Sequence, residues 1–287
     1  MKLSLILATY GRAAEIERLF DSLAQQSCRD FEVLVVDQNQ DERLEPFIAR
    51  AASRGLCLRH LRLGQPSLSG ARNLGLANAR HDIVAFPDDD CWYEHDTVAK
   101  VVQHFEADPA LDGVVARWVE QSQARPEIDD LHRLRLAEWR SFRGGDASSI
   151  SLFLKRSRLL ASGGFDERLG VGQWYGAAEE TDLLLRLLEA DAKLVHAPAV
   201  KVRHAFVAPS ARPPASKLAT LRRARGTGAL YAKHRLPAWT VVRGILAPPL
   251  KALVRAQPAT LAAACAVSLG RLQGLLRWHL EQRRRAR

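Results

Sequence analysis

The first 90 residues alternate between continuous apolar runs and segments in which apolar residues recur with a helical period. Leu3–Ala8 and Phe31–Asp37 are unbroken apolar runs, which are typical of strands buried on both faces. Between them, Ala13–Gln26 places apolar residues at i, i+3, i+4 and i+7, which predicts an amphipathic helix. The same alternation predicts helices at Asp41–Arg54 and Leu68–Ala79, and strands at Leu56–Leu63 and Asp82–Phe86.

This β-α-β order predicts an α/β fold, with a mostly parallel sheet flanked by helices on both faces. In such sheets, ligands bind beyond the carboxyl ends of the strands. Polar residues stand at the ends of three predicted strands: Thr9, Tyr10, Asp37, Asp88, Asp89 and Asp90. We therefore expect these side chains to converge on one crevice.

The pattern is less regular in the second half of the chain. His132–Trp139 and Glu179–Ala190 have a helical pattern, and Ser149–Leu154 has the pattern of a strand. From about residue 209 the composition shifts to Pro, Ala, Arg and Leu. We predict a catalytic domain over residues 1–210 and a helical basic extension over residues 211–287.

Charge divides the chain at the same place. Residues 211–287 contain 16 Lys and Arg but a single acid, Glu281, whereas residues 1–210 carry a net charge of −5. An acidic body suits a metal-bridged phosphate substrate, and a basic extension suits an anionic membrane or nucleic acid. The four cysteines show no spacing typical of a zinc site, and the apolar run at the N-terminus is too short to span a membrane. We expect a cytoplasmic protein.

The acidic triplet of Asp88, Asp89 and Asp90 follows a predicted strand directly. Three adjacent carboxylates repel one another, so their clustering is costly unless a cation neutralises them. A divalent cation bound to a diphosphate would do this, and oxygen ligands suit Mg²⁺ or Mn²⁺. The alternative is a solvated turn whose aspartates cap the following helix.

Ordered motifs surround this triplet. They are ATYGR at 8–12, VVDQ at 35–38, SGARNLG at 69–75, FPDDDCW at 86–92, GGFDE at 163–167 and EETDLLLR at 179–186. In this order the chain resembles the family-2 glycosyltransferases of the GT-A fold, with FPDDDCW in the place of the D-x-D element. The resemblance covers about 200 residues and implies a nucleotide-sugar-dependent, inverting transferase of the hexosyltransferase type.

The resemblance also implies roles for individual residues. The nucleotide would be bound by Thr9, Tyr10, Asp37, Arg72, Asp88 and Asp89. A Mn²⁺ or Mg²⁺ ion would be bound by Asp90 and Asp88, and His204 falls where some relatives supply a metal-binding histidine.

The catalytic base is implied by the acidic start of the helix predicted at Glu179–Ala190. The family commonly has a Glu-Asp pair here with Asp as the base, and Glu180 occupies the place of that Asp. Glu179 and Asp182 remain alternatives, as does an acidic helix start stabilised by the helix dipole. Trp174 and Tyr175, which precede this helix, could stack on an acceptor sugar or pack in the core.

The basic extension contains two apolar segments. Trp239–Ala256 has an apolar face and a basic face, and we expect Pro248 and Pro249 to kink or split its helix. Pro258–Leu280 is interrupted by arginines, so it is a poor membrane-spanning helix. This pattern favours helices that lie in the membrane interface. The alternative is a helical cap packed on the catalytic domain.

Together these features predict a metal-dependent glycosyltransferase of cell-surface polysaccharide synthesis. It would transfer a sugar to a hydroxyl of a glycan or lipid-linked acceptor as a peripheral protein at the inner face of the plasma membrane. A non-catalytic protein that binds nucleotide sugars or nucleic acid is the alternative, but the chain lacks recognisable nucleic-acid-binding motifs and its body is acidic.

Overall fold

The fold is described from a computed structural model, which defines residues 1–120, 130–144, 148–205, 216–255 and 258–285. These residues form two compact units. The sheet unit comprises the described residues within 1–134, 146–165 and 186–207, and the helical unit comprises those within 135–145, 166–185 and 208–287. The two units are described separately below. The division predicted at residues 210 and 211 stays a prediction.

The secondary structure alternates between strands and helices up to residue 204 and is helical from residue 217. The strands are β1 Leu3–Thr9, β2 Phe31–Asp37, β3 Leu58–Arg62, β4 Ile83–Ala85, β5 Cys91–Tyr93, β6 Gly113–Glu120, β7 His132–Arg133, β8 Leu152–Lys155 and β9 Leu194–His204. The helices are α1 Ile16–Ala24, α2 Glu45–Ser53, α3 Leu68–Asn78, α4 Thr97–Ala107, α5 Leu136–Arg140, α6 Arg156–Ala161, α7 Glu179–Glu189, α8 Lys217–Lys233, α9 Ala238–Val254 and α10 Pro258–Arg285.

In the described part of the chain, the nine strands form one sheet in the order β3-β2-β1-β4-β8-β6-β9-β5, with β7 also paired to β9. The pairings β1–β2, β2–β3, β1–β4 and β6–β9 are parallel, and β8, β5 and β7 run antiparallel to their neighbours. Six strands therefore point the same way, which confirms the predicted mostly parallel α/β sheet.

The apolar runs explain why the centre of the sheet forms. All seven residues of β1 and all seven of β2 are buried, as expected for strands covered on both faces. Helix α1 buries Ile16, Leu19 and Phe20 against this layer. The core of the sheet unit thus follows the pattern of the sequence.

The prediction of a helix at His132–Trp139 is wrong in its first half. His132 and Arg133 form β7, which pairs antiparallel with β9, and α5 begins only at Leu136. The physical reason is tertiary. The edge of β9 offers backbone partners, and the amide of Leu134 continues this pairing by donating to the carbonyl of Leu194 at 2.9 Å. Long-range pairing therefore outweighs the local helical period.

Helices α8 and α10 pack closely in the helical unit because glycines stand where they touch. A Cβ atom at Gly228 would lie 2.0 Å from the carbonyl oxygen of Arg271, and one at Gly274 would lie 2.1 Å from that of Arg225. No side chain fits at such distances, so these two positions require glycine.

Helix α9 continues through Pro248 and Pro249, so it is not split there, and the expected kink stays a prediction. The two prolines lack N–H groups, which leaves the carbonyls four residues earlier, at Gly244 and Ile245, without their helical partners. Side chains of α10 replace them: Arg271 Nη1 donates to the Gly244 oxygen, and Ser268 Oγ donates to the Ile245 oxygen at 2.5 Å. These bonds let the helix tolerate the proline pair.

Within the residues that the structure describes, no helix combines the length and apolar character needed to cross a membrane.

Candidate functional site

The site is built at the carboxyl ends of β1, β2 and β4. Thr9 ends β1 and pairs in register with Asp37, which ends β2. Strand β4 ends at Ala85, and the acidic triplet follows three residues later. The polar residues expected at the strand ends are therefore at one edge of the sheet unit.

Asp37 is buried and its carboxylate is fully engaged. One oxygen lies 3.0 Å from His60 Nε2 and 3.1 Å from Arg62 Nη1. The other accepts a bond of 2.8 Å from the amide of Asn39. Asn39 in turn accepts from the amide of Gly11 at 2.7 Å, which fixes the turn after β1. This network holds the β1 and β2 ends in a defined shape.

Tyr10 and Gly11 form the exposed part of that turn. Tyr10 is 59% exposed, so its ring is available to a ligand. Gly11 has a φ of +74°, a left-handed conformation that favours glycine. A glycine therefore suits the backbone at this position.

Asp89 is the most buried carboxylate of the triplet. Thr9 Oγ1 donates to it at 2.9 Å, and Arg12 Nη1 donates to its other oxygen at 2.8 Å. Burial raises the pKa of Asp89 to about 6, even though Arg12 and Thr9 favour its charged form. Asp89 therefore ties the acidic triplet to β1.

Asp90 contacts His204, the last residue of β9. His204 Nε2 lies 3.2 Å from one Asp90 oxygen, and Arg12 Nη1 donates to the other at 2.7 Å. The hydrogen bond with His204, together with Arg12, lowers the pKa of Asp90 well below its usual range. The same hydrogen bond raises the pKa of His204. The sequence-predicted residues Asp90 and His204 thus lie together.

Arg12 is the residue that the sequence reasoning missed. It was part of the ATYGR motif but received no role, although one guanidinium nitrogen contacts both Asp89 and Asp90. The signal in the sequence is a cation three residues after the end of β1, combined with a cluster of acids after β4, the strand beside β1 in the sheet. Arg12 partly neutralises the repulsion within that cluster.

Asp88 contacts Arg72. Arg72 Nη2 lies 3.3 Å from an Asp88 oxygen and donates to Ser149 Oγ at 2.6 Å. The side chain of Arg72 is only 2% exposed, whereas that of Asp88 is 37% exposed. Arg72 is therefore fixed under the acidic triplet, and Asp88 is the more accessible member of this pair.

The fit to a divalent cation can be judged from the donors. No group of three or more His, Cys, Asp and Glu side chains has metal-ligating geometry in the part of the chain that is described. Asp90 and His204, however, present oxygen and nitrogen donors 3.2 Å apart. This is close to the separation of about 3 Å between neighbouring ligands of an octahedral ion with bonds of about 2.1 Å. The two atoms now share a hydrogen bond, so His204 would have to release its proton before both residues could bind an ion that takes its other ligands from substrate and water.

The helical unit contains the acidic start of α7. Asp182 is fully buried, with one oxygen 2.7 Å from Lys233 Nζ and 2.9 Å from His234 Nε2. Glu179 is 3% exposed, and Glu180 is half-buried. The three acids that the sequence left as alternatives therefore differ clearly in their surroundings.

Trp174 and Tyr175 belong to an aromatic cluster of the helical unit. Tyr175 is 3% exposed and its ring centroid lies 5.4 Å from that of Trp278. The guanidinium carbons of Arg225 and Arg277 lie 4.2 Å and 4.1 Å from the Trp174 ring centroid. These contacts favour the packing alternative over sugar stacking, most strongly for Tyr175.

A sequence profile identifies the family of the sheet unit. The profile of the family described as Glycosyl transferase family 2 matches residues 4–155, which is more than half of the chain. The matched region contains Thr9, Asp37, Arg72 and the acidic triplet.

Curated relatives match over part of their length. An uncharacterized glycosyltransferase of Haemophilus influenzae is 31% identical over 110 residues, which cover 38% of this chain and 36% of that protein. The uncharacterized glycosyltransferase EpsJ of Bacillus subtilis is 28% identical over 122 residues, which cover 42% of this chain and 35% of EpsJ. The match thus spans about a third of the length of these relatives.

Solved structures share the fold. The mannosyltransferase PcManGT from Pyrobaculum calidifontis, in complex with GDP-Man and Mn²⁺, is similar with a TM-score of 0.64 at 22% identity, over 93% of this chain and 73% of that chain. TarS 1-349 of S. aureus, in complex with UDP-GlcNAc, has a TM-score of 0.63 at 15% identity, over 96% of this chain and 92% of that chain. These similarities confirm the expected GT-A fold. With the profile match over residues 4–155, they lead to one conclusion: the chain belongs to glycosyl transferase family 2.

Proposed function

We propose that this protein is an inverting glycosyltransferase that moves a sugar from a nucleotide-diphosphate sugar to a hydroxyl of a glycan or lipid-linked acceptor. The observation that carries the proposal is the acidic triplet beyond β4, which lies within the matched residues 4–155 and whose Asp90 contacts His204. The donor class is supported by the GDP-Man and UDP-GlcNAc found with structural neighbours.

The donor nucleotide would bind at the strand ends of the sheet unit. The exposed ring of Tyr10 offers a surface for the base, and the fixed Asp37 network offers a rigid wall beside it. Thr9 and Asp89 would hold the β1 end against the triplet. Preorganised groups of this kind bind a ligand with little loss of side-chain entropy.

Asp90 and His204 would hold a Mn²⁺ or Mg²⁺ ion, with Asp88 as a further oxygen donor. When bound, the ion supplies Lewis-acid stabilisation of the departing diphosphate. Arg12 contacts Asp90 and Asp89. When a cation binds these carboxylates, the guanidinium of Arg12 would be released to pair with the diphosphate. Arg72 would keep Asp88 in position from below.

Glu180 is our candidate for the general base. The buried ion pairs of Asp182 with Lys233 and His234 engage its carboxylate, and Glu179 is almost fully buried. Glu180 is the more accessible acid of the three. It would accept the proton of the acceptor hydroxyl as that oxygen attacks the anomeric carbon, and a single displacement inverts the configuration.

We propose further that the helical unit attaches the protein peripherally to an anionic membrane during polysaccharide synthesis. One face of α9 exposes a stripe of large apolar side chains: Trp239, Val242, Leu246, Leu250 and Leu253. Helix α10 exposes Leu269, Leu272, Leu276 and Leu280, and ends in exposed Arg283 and Arg284. Apolar stripes beside cations are typical of interfacial helices.

The donor site can be tested by a thermal-shift panel of nucleotide sugars with and without Mn²⁺. A donor at about 100 times its Kd contributes about 2.7 kcal/mol, which at about 2–4 °C per kcal/mol should raise Tm by about 5–10 °C. We expect one nucleotide family to give this shift only with the metal. A folded protein that responds to no member of the panel would contradict the proposed function.

A further inference from the structure

The helical unit contains a cavity of about 400 Å³ away from its acidic residues. It is lined by Phe142, which follows α5, by Tyr231 of α8, by Arg271 of α10 and by six residues of α9. The α9 residues are Thr240, Arg243, Gly244, Ala247, Pro248 and Lys251. This volume lies within the range of about 300–1,000 Å³ typical of small-molecule sites. We call this cavity the cationic pocket.

Three cations and no carboxylate are present in the described lining of the cationic pocket. Arg243, Lys251 and Arg271 therefore repel one another across it, a cost that a bound anion would remove. The only acid of residues 211–287, Glu281, is engaged with Arg277 at 2.7 Å. The charge of the pocket is thus not balanced by the helices that build it.

Backbone contacts hold two of the three cations in place. Arg243 Nη2 donates to the carbonyl of Ser141, and Arg271 Nη1 donates to the carbonyl of Gly244. These bonds engage one nitrogen of each guanidinium and fix the positions of both groups before a ligand binds. Preorganised, fork-shaped donors are well suited to phosphate oxygens.

The rest of the lining is apolar, and it adjoins an apolar surface. The rings of Phe142 and Tyr231 meet edge to face with centroids 5.8 Å apart, and Ala247 and Pro248 continue the wall. On α9 the pocket residues recur at 240, 243, 244, 247, 248 and 251, whereas the exposed stripe recurs at 239, 242, 246, 250 and 253. At about 100° per residue, the two stripes are centred on different sides of the helix, and their margins adjoin at Arg243 and Leu250.

We propose that the cationic pocket binds the phosphate monoester or diphosphate group of an amphipathic ligand whose apolar part lies along α9. Resting on the proposed function, this assigns the phosphate end of a lipid-linked acceptor, or of an anionic lipid, to the helical unit. Lys251 is the exposed cation at the pocket mouth, and Arg243 and Arg271 are the fixed donors inside it.

Calorimetric titration of the full chain with inorganic pyrophosphate in EDTA tests the pocket without metal. Chelation separates this site from the metal-dependent donor site, so failure of one proposal is distinguishable from failure of the other. We expect Lys251→Met to weaken pyrophosphate binding about tenfold, as loss of one charge-assisted hydrogen bond implies. Lys217→Met is the matched control, since Lys217 is also exposed in the helical unit but lies outside the pocket. Equal weakening by both variants, or no binding to the unaltered chain, would overturn the proposal.

Vesicle flotation distinguishes a lipid headgroup from a free phosphate compound as the ligand of the pocket. Flotation compares phosphatidylcholine vesicles that contain phosphatidic acid, a phosphate monoester, with others that contain the same fraction of phosphatidylglycerol, a diester. Preference for phosphatidic acid that is lost in Lys251→Met but kept in Lys217→Met identifies a lipid headgroup. Pyrophosphate binding at Lys251 without this vesicle preference would overturn the amphipathic ligand and identify a free phosphate or diphosphate compound as the ligand of the pocket.

Discussion

The sheet unit and the helical unit prepare for anionic ligands in opposite ways. At the sheet edge, three carboxylates follow β4, and Arg12 and His204 lie against them. In the helical unit, three cations line one pocket that has no carboxylate in its described lining. On the two proposals, the acidic cluster would bind a diphosphate with the help of a metal ion, whereas the cationic pocket would bind phosphate directly. A chelator should therefore abolish binding at the first site and leave binding at the second unchanged.

The largest expected effect is that of Glu180→Gln, which tests whether the helical unit takes part in the chemical step as well as in binding. An amide cannot accept the acceptor's proton, so we expect kcat to fall about 10²–10⁴-fold while donor affinity changes little. Steady-state kinetics and calorimetry with the donor measure the two quantities. Glu189→Gln, at the exposed end of the same helix, is the control. Full activity in Glu180→Gln would remove Glu180 from the mechanism.

Asp90→Ala tests the metal dependence of the sheet unit. We expect turnover to fall about 10²–10³-fold, because the preorganised charge that stabilises the leaving group is lost. The metal-dependent thermal shift with donor should disappear as well. Asp30→Ala removes an exposed carboxylate whose ion pair with Lys2 spans 3.8 Å, and it should leave both readouts unchanged. Unaltered turnover in Asp90→Ala would contradict the metal assignment.

Asp182→Asn sharpens the contrast by separating stability from chemistry in the helical unit. The change leaves His234 and Lys233 beside a neutral amide, but Lys233 keeps its ion pair of 2.7 Å with Asp166, so we expect the free energy of unfolding to fall by about 1–3 kcal/mol. Urea unfolding measures this loss. If the variant instead unfolds like the unaltered chain but turns over more slowly than Glu180→Gln, the base is Asp182.

The smallest effect concerns the apolar stripe of α9. Leu246→Ser and Leu250→Ser change side chains that are already 51% and 54% exposed, so stability should change little. Partition onto anionic vesicles should fall about tenfold for each, since burial of a leucine in the interface is lost. Leu160→Ser, an exposed leucine of the sheet unit, is the control. Equal partition of all three variants would exclude a role of the stripe.

The central strands of the sheet could be predicted from the sequence because each is a continuous run of apolar residues. The runs that became β1 and β2 are buried on both faces, and the strand ends carry Thr9 and Asp37 into the site. Helix α7 was also predicted to within one residue of its end. Strands β6 and β9 were not predicted, because their identity depends on pairing with each other across about 80 residues of chain.

The contacts within the site could not be predicted for the same reason. Arg12 meets Asp90 over a separation of 78 residues, and Asp182 meets His234 over 52. A sequence motif names the residue types but does not tell which carboxylate is engaged by a distant cation. The sequence therefore left three acids as alternatives for the base, and their different surroundings now rank them.

The proline pair of α9 has a consequence for the order in which the chain acquires its structure. The carbonyls of Gly244 and Ile245 obtain their donors from Arg271 and Ser268, which leave the ribosome more than 20 residues later. Until then this part of α9 has two unmatched carbonyls, and water must solvate them. Helix α9 is therefore completed by α10, and the helical unit closes only once α10 has been synthesised.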